Sequence, residues 1–132
     1  MKHLVIVIRN EKYLETKKEL EKEGFSSYSS RDILGRGKGS SLIEVIKKTG
    51  RNGGDENGED QNGEDQKETQ GSLLYSRKMM EICVSDKDAD TVIEIICRIN
   101  RNGRHGDGKI FVLPVRDVIR LRTGEKGDNA IL

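Results

Sequence analysis

The chain has 132 residues, of which 36% are charged and 33% hydrophobic, with one Pro, two Cys and no Trp. That is a usual size for one domain and too short for two large ones. No apolar run approaches the roughly 20 residues needed to cross a bilayer, and Cys83 and Cys97 alone build neither a disulfide framework nor a zinc site. The apolar start at residues 4–8 lacks the length and the cleavage site of a secretion signal. The expected place is therefore the cytoplasm, without membrane insertion.

The net charge of +1 hides an uneven distribution. Residues 50–71 contain no apolar side chain, and their seven acids outnumber Arg51 and Lys67 by five. The rest of the chain is thus basic, at +6. A basic body with an acidic appendage suits an anionic ligand, or an appendage that competes for the basic face. The appendage carries a tandem pentapeptide, Asn57-Gly58-Glu59-Asp60-Gln61 and then Asn62-Gly63-Glu64-Asp65-Gln66. With nothing apolar to bury, it is expected to be disordered when free.

Leu4, Val5, Ile6, Val7 and Ile8 form a strand with both faces apolar. Two helices cover one face only, so the other is expected to meet another subunit. Residues 11–22 are rich in good helix formers, with Asn10 as a cap, Gly24 as a stop and a thin stripe of Tyr13, Leu14 and Leu20. Residues 25–34 read as extended, and a flexible basic stretch follows, Gly35-Arg36-Gly37-Lys38-Gly39. Order returns at residues 72–84, where Met79, Met80, Ile82, Cys83 and Val84 again suit both faces of a strand. Ser85 and Asp88 resemble a capping box, and Ala89, Val92, Ile93, Ile96 and Ile99 recur at helical spacing behind them. Residues 110–113 and 118–122 read as two more strands. The order β-α-β, long loop, β-α-β is that of an α+β, ferredoxin-like sandwich.

The strongest local motif is Asn102-Gly103-Arg104-His105-Gly106-Asp107-Gly108-Lys109. It has most of a Walker A loop, but Ile110 stands where a Ser or Thr would bind magnesium, and a strand follows in place of a helix. The physics survives the failed motif. Glycines let backbone N–H groups approach an anion, and Arg104 and Lys109 add charge. Arg120 and Arg122 alternate with Ile119 and Leu121, which on a strand would put both cations on one side. Cys83 and Cys97 sit in apolar patterns and read as inert core thiols. No nucleophile stands with a base, so an enzyme is not expected. An RNA-binding ferredoxin-like domain would also suit a basic body, although its sheet would need stacking aromatics that these strands lack.

The segment Gly106-Asp107-Gly108-Lys109-Ile110-Phe111-Val112, followed by Arg120-Leu121-Arg122-Thr123-Gly124-Glu125, resembles the C-terminal signature of the P-II nitrogen-regulatory signalling proteins. Gly24-Phe25, Arg36 between Gly35 and Gly37, and Glu81-Ile82-Cys83-Val84 fall in matching order. The likeness covers the chain outside residues 42–71. It implies one domain over residues 1–132 with a signalling T-loop at residues 36–76, and a trimer that binds ATP or ADP in clefts between neighbours. It further implies 2-oxoglutarate beside ATP, joined through Mg2+.

On this resemblance Gly106, Asp107, Gly108 and Lys109 belong to the phosphate site, and Arg120 and Arg122 reach phosphates from the adjacent subunit. Gly35, Gly37 and Lys38 close the cleft. Ser29, Glu81 and Cys83 hold adenine or ribose, and Arg77 takes the place of a lysine for 2-oxoglutarate. Two departures stand out. Gly39 occupies the position of a Gln that contacts magnesium and 2-oxoglutarate, and the Tyr-Arg-Gly modification motif is missing from the T-loop. The long loop is most similar to that of the second P-II paralogue of archaeal nitrogen-fixation operons. That similarity implies a homotrimer, or a mixed oligomer with a sister paralogue, acting on nitrogenase and not on nucleic acid.

Overall fold

A strand that is apolar on both sides belongs at the centre of a sheet. In the computed structural model, which describes residues 1–36 and 74–131, residues 4–8 lie in β1 (Lys2–Ile8). A short 3-10 turn at Asn10–Lys12 leads into α1 (Tyr13–Lys22), followed by β2 (Ser29–Gly35). Then come β3 (Tyr75–Val84), α2 (Asp86–Asn100), β4 (Gly108–Pro114) and the short α3 (Asp128–Ile131). The sheet order is β2-β3-β1-β4 and every pairing is antiparallel. This is the expected ferredoxin-like topology.

Strand alternation sends Leu4, Ile6, Ile8, Met80, Ile82 and Val84 to one face, where all are buried. Leu20 of α1 and Ala89, Val92, Ile95 and Ile96 of α2 complete that core. The helical stripe read from the sequence omits Ile95, which is buried, while Ile93 and Ile99 are only partly covered. On α1, Leu14 is 64% exposed, and the buried residue beside Leu20 is Thr16. Thr16 is tolerated there because its hydroxyl donates to the Lys12 carbonyl at 2.8 Å and accepts from Asn100 Nδ2 at 3.0 Å. The Asn100 amide nitrogen also donates to the Ile96 carbonyl at 2.9 Å, so one buried amide ties α2 to α1.

The helix ends follow their local chemistry. Gly24, at φ +88°, closes α1 in a Schellman arrangement. The Phe25 amide bonds the Leu20 carbonyl at 2.8 Å and the Gly24 amide bonds that of Glu21 at 3.1 Å. Ser85 caps α2, accepting from the Asp88 amide. The Asp88 carboxylate takes the Ser85 hydroxyl, an arrangement different from the reciprocal bond of a full capping box. Asn10 is no cap for α1, since its amide donates to Ser76 Oγ at 2.8 Å on β3.

Two expectations need correcting. Residues 118–122 are no strand: an isolated bridge joins Ile119 to Lys126, and residues 121–123 turn between them. The segment at residues 36–76 gives up Tyr75 and Ser76 to β3. Residues 37–73, with the acidic insert at 50–71, lie outside the described residues.

Three substitutions test this packing by urea denaturation. Ile96→Ala should cost about 2–5 kcal/mol, the range for truncating a fully buried aliphatic. Leu121→Ala, at a side chain 98% exposed, should stay within about 0.5 kcal/mol. Thr16→Val, which keeps the shape but removes an acceptor from Asn100, should cost about 1–3 kcal/mol.

Candidate anion-binding site

The sheet face away from the helices carries the odd-numbered residues of β1, β3 and β4. Register places them in rows. Lys109, Val7, Met79 and Arg31 pair across the four strands, and Phe111, Val5, Glu81 and Ser29 form the next row. Leu113, His3 and Cys83 make a third. Ser29, Glu81, Cys83 and Lys109 therefore share one open face, as side chains two apart on a strand must. Arg77 lies on the same face of β3, two residues before Met79. Lys78 points to the helix layer, paired with Asp32 at 2.6 Å and stacked 4.8 Å from the Tyr13 ring centre. The alternation thus separates two adjacent cations, and Arg77 is the one at the site.

The glycine-rich loop sits where β4 begins. Gly103, Gly106 and Gly108 have φ of +71°, +88° and +128°. At Gly108 glycine is obligatory on space as well as on dihedral, because a Cβ would lie 2.2 Å from the Val7 carbonyl oxygen. A Cβ on Gly106 would lie 3.0 Å from an Arg77 guanidinium nitrogen, so the loop and Arg77 are in near contact. Arg77 also donates to the Ser76 carbonyl at 3.3 Å and stacks on the Tyr75 ring, with 5.7 Å to its centre. Arg77 lies against this loop and Lys109 follows it directly on β4.

Asp107 has a different role from its neighbours. Its carboxylate turns back into the loop, accepting the Asn102 amide at 2.8 Å, and pairs with Arg9 at 3.2 Å. The Asn102 amide, with those of Arg104 and Gly103 and the Arg9 guanidinium, holds the Asp107 carboxyl below the usual carboxylate range despite some desolvation. Arg9 also donates to the His105 carbonyl at 3.1 Å. Asp107 shapes the loop from inside, and Arg9 is a functional residue the sequence reading missed. Its signal was its place immediately after β1. Arg31 was missed as well, though it alternates with Ser29 on β2. Its guanidinium lies 3.2 Å from Met79 Sδ and 3.7 Å from Glu81.

The remaining expected residues are distributed as follows. Gly35 ends β2 and pairs with Tyr75, near the Arg77 end of the sheet. Gly37 and Lys38 lie outside the described residues. Burial pushes the Cys83 thiol up from its ordinary value, Asp128 adds to this, and the α-amino group opposes it. Cys83 is thus a packing group and no thiolate nucleophile. Arg120 and Arg122 do not share a strand face. Arg120 is ion-paired to Glu125 at 2.7 Å within the C-terminal turn, whereas Arg122 is exposed on that turn. An apolar groove of about 400 Å³ runs between α2 and β4 past Ile93, Ile96, Cys97 and Val112. It reaches Asp107, Gly108 and Lys109 at the glycine loop but includes none of Ser29, Arg77, Glu81 or Cys83. Among the described residues no three His, Cys, Asp or Glu side chains gather as a metal centre, and no helix is long and apolar enough to cross a membrane.

Comparison with known proteins accords with this geometry. The family described as Nitrogen regulatory protein P-II matches residues 1–125. The chain is 38% identical over 133 residues to the nitrogen fixation nifHD region GlnB-like protein 2 of Methanobacterium ivanovii, with all of both chains covered. It is 34% identical to the nifHD1 region GlnB-like protein 2 of Methanosarcina barkeri, covering 99% of each. The crystal structure of Arabidopsis thaliana PII bound to citrate is similar at TM-score 0.67 and 27% identity, over 98% of this chain and 88% of that one. With Ser29, Arg77, Glu81, Cys83 and Lys109 on one open sheet face and the match running from the first strand into the C-terminal turn, the chain belongs to the nitrogen regulatory protein P-II family of signalling proteins, among relatives of the archaeal nitrogen-fixation region.

Proposed function

We propose that this protein is a nucleotide-responsive regulator of nitrogen metabolism, and that nitrogenase is its target. The observation that carries the reading is the convergence of Lys109, Arg77 and the glycine loop with Ser29, Glu81 and Cys83 on one face of the sheet. Cationic side chains and closely approachable backbone at one end suit phosphates. A carboxylate and a small apolar surface on β3, two strands from Lys109, and a hydroxyl on β2, three strands from it, suit a base and ribose. Adjacent strands are about 4.8 Å apart, so these groups lie about 10–14 Å across the sheet from Lys109. ATP or ADP would span them. The site is open within one chain, which fits a cleft completed by a neighbouring subunit in a homotrimer or a mixed oligomer with a sister paralogue.

At the phosphate end the Lys109 ammonium is a donor, whereas the Asp107 carboxylate inside the loop already holds the Asn102 amide and would compete with an anion for the amides beside it. Mg2+ would be held through the nucleotide's phosphates, where it supplies charge neutralisation. Arg77 would take a 2-oxoglutarate carboxylate, offering a planar fork where a lysine offers a point charge. The citrate named in the Arabidopsis structure is likewise a polycarboxylate. The nifHD naming of the relatives supports nitrogenase as the regulated enzyme. Signalling is by linkage: effectors that favour different arrangements of the T-loop alter target affinity, and the target alters effector affinity equally. The protein acts as a regulator and not as a catalyst. RNA binding is disfavoured by the aromatics of the open face, since Phe111 pairs in the row of Glu81 and Tyr75 lies six residues along β3 from it, about 20 Å away.

Calorimetry with ATP, ADP and 2-oxoglutarate, separately and together, tests the reading. Lys109→Ala should weaken ATP binding by about 1.5–3 kcal/mol, the range for hydrogen bonds to charged groups, while Arg51→Ala in the insert should leave it unchanged. Equal ATP affinity for wild type and Lys109→Ala would remove the proposed site. Replacing Glu59, Asp60, Glu64 and Asp65 by their amides should weaken target binding mainly at low salt, where screening is least. ATP affinity should then stay within about twofold. Unchanged inhibition of the target would leave the acidic insert as a spacer.

A further inference from the structure

The methionines of the chain differ in what can reach their sulfur. Met80 is 0% exposed in the core and the Met1 side chain is 8% exposed, whereas Met79 is half-buried on the open face of the sheet. Register sets Met79 opposite Arg31 of the outer strand β2. The Arg31 guanidinium turns two donors onto one atom: Nε and Nη2 each lie 3.2 Å from Met79 Sδ. The same guanidinium ion-pairs with Glu81 at 3.7 Å and stays largely exposed. A thioether sulfur is a weak acceptor, so a charged planar fork is poorly matched to it. A sulfoxide oxygen in that place would be a far better partner, because the S–O bond is strongly polar and the donor is ionised. Cys83, on the same face, competes poorly for an oxidant, since burial holds its thiol protonated.

We propose that Met79 is a reversible oxidation site for small peroxides, and that Arg31 is the positioning residue that holds the sulfoxide. The Met79 sulfur attacks one oxygen of hydrogen peroxide. An S–O bond forms as the O–O bond breaks, sulfur gives up two electrons, and the other oxygen leaves as water with both protons. The sulfoxide oxygen then accepts from Arg31 Nε and Nη2 in place of the sulfur. Arg31 is drawn from Glu81, whose carboxylate loses its ion pair on the open face. A methionine sulfoxide reductase restores the thioether. The inference stands apart from the nucleotide reading, since neither the peroxide nor the fork involves a nucleotide.

Dilute hydrogen peroxide on the folded full chain, followed by peptide mass spectrometry, tests the site. Met79 should gain one oxygen well before Met80 and Met1, and the order should vanish when the chain is first unfolded in urea. If Met79 reacts no faster than Met80, its sulfur is sealed in the assembled protein and the proposal falls. The role of Arg31 is read from urea midpoints before and after oxidation, taken as a double-mutant comparison. Oxidation should lower the midpoint of Arg31→Ala by more than that of the wild type, because the variant leaves the sulfoxide without its donors. Arg31→Lys, which keeps the charge but not the fork, should fall between them, and it serves in place of Arg31→Ala should that variant not fold. Equal losses in wild type and variant would mean that the sulfoxide is not held, which overturns the role of Arg31. Met79→Leu, a swap of similar volume, should make the midpoint indifferent to peroxide. A midpoint still lowered in Met79→Leu, or one that a methionine sulfoxide reductase does not restore in the wild type, would assign the effect to the cysteines and refute the site.

Discussion

The structure depends on a mismatch between the two sides of β1 and the two helices available to cover them. Leu4, Ile6 and Ile8 are sealed under α1 and α2, and the described residues supply no such layer over Val5 and Val7. Among the described residues, the short C-terminal helix reaches that side of the sheet near Cys83, and Lys109 and Ser29 on the outer strands are exposed. Along that side the apolar row is interrupted at its margins by Lys109, Arg31, Glu81 and Ser29. Apolar surface at the centre invites burial, and charge at the edge invites an ion. One face can thus serve both assembly and ligand binding, which is an economical use of a small domain.

Much of this was legible in the sequence because period-two alternation and helix punctuation are local. The run at residues 4–8, the Ser85 cap and the Gly24 stop depend on residues within a turn of each other, and the structure contains all three. The readings that failed needed information from farther away. Thr16 looks like a surface residue until Asn100, 84 positions later, supplies its hydrogen bond. Asn10 looks like a cap until Ser76 takes its amide. Residues 118–122 alternate like a strand, yet no neighbouring strand offers a ladder, and the ion pair with Glu125 closes a hairpin instead.

The candidate site shows the same division. That Gly106, Gly108 and Lys109 belong together follows from their adjacency in the chain. That Arg77 joins them and Lys78 does not is a matter of strand parity, and follows once the register of β3 is known. Arg9 and Arg31 escaped notice because each is a lone cation in an unremarkable context. Their roles arise from partners across the sheet, Asp107 for one and Met79 with Glu81 for the other. Asp107 was correctly placed at the loop, but its direction of action reverses, since it faces the protein's own amides.

That inward carboxylate has a consequence for how such a regulator works. The Asn102 amide is already taken by a resident negative charge, and Arg9 anchors that charge to the end of β1. The carboxylate therefore braces the loop's curvature from within, so an anion binding there would have little ordering entropy to overcome. A receptor element that is rigid beforehand is also a poor transmitter, because it has the same shape before and after the event. Were a nucleotide to bind there as proposed, its identity would have to be signalled by a more deformable part of the molecule, with the glycine loop as the fixed frame for that movement.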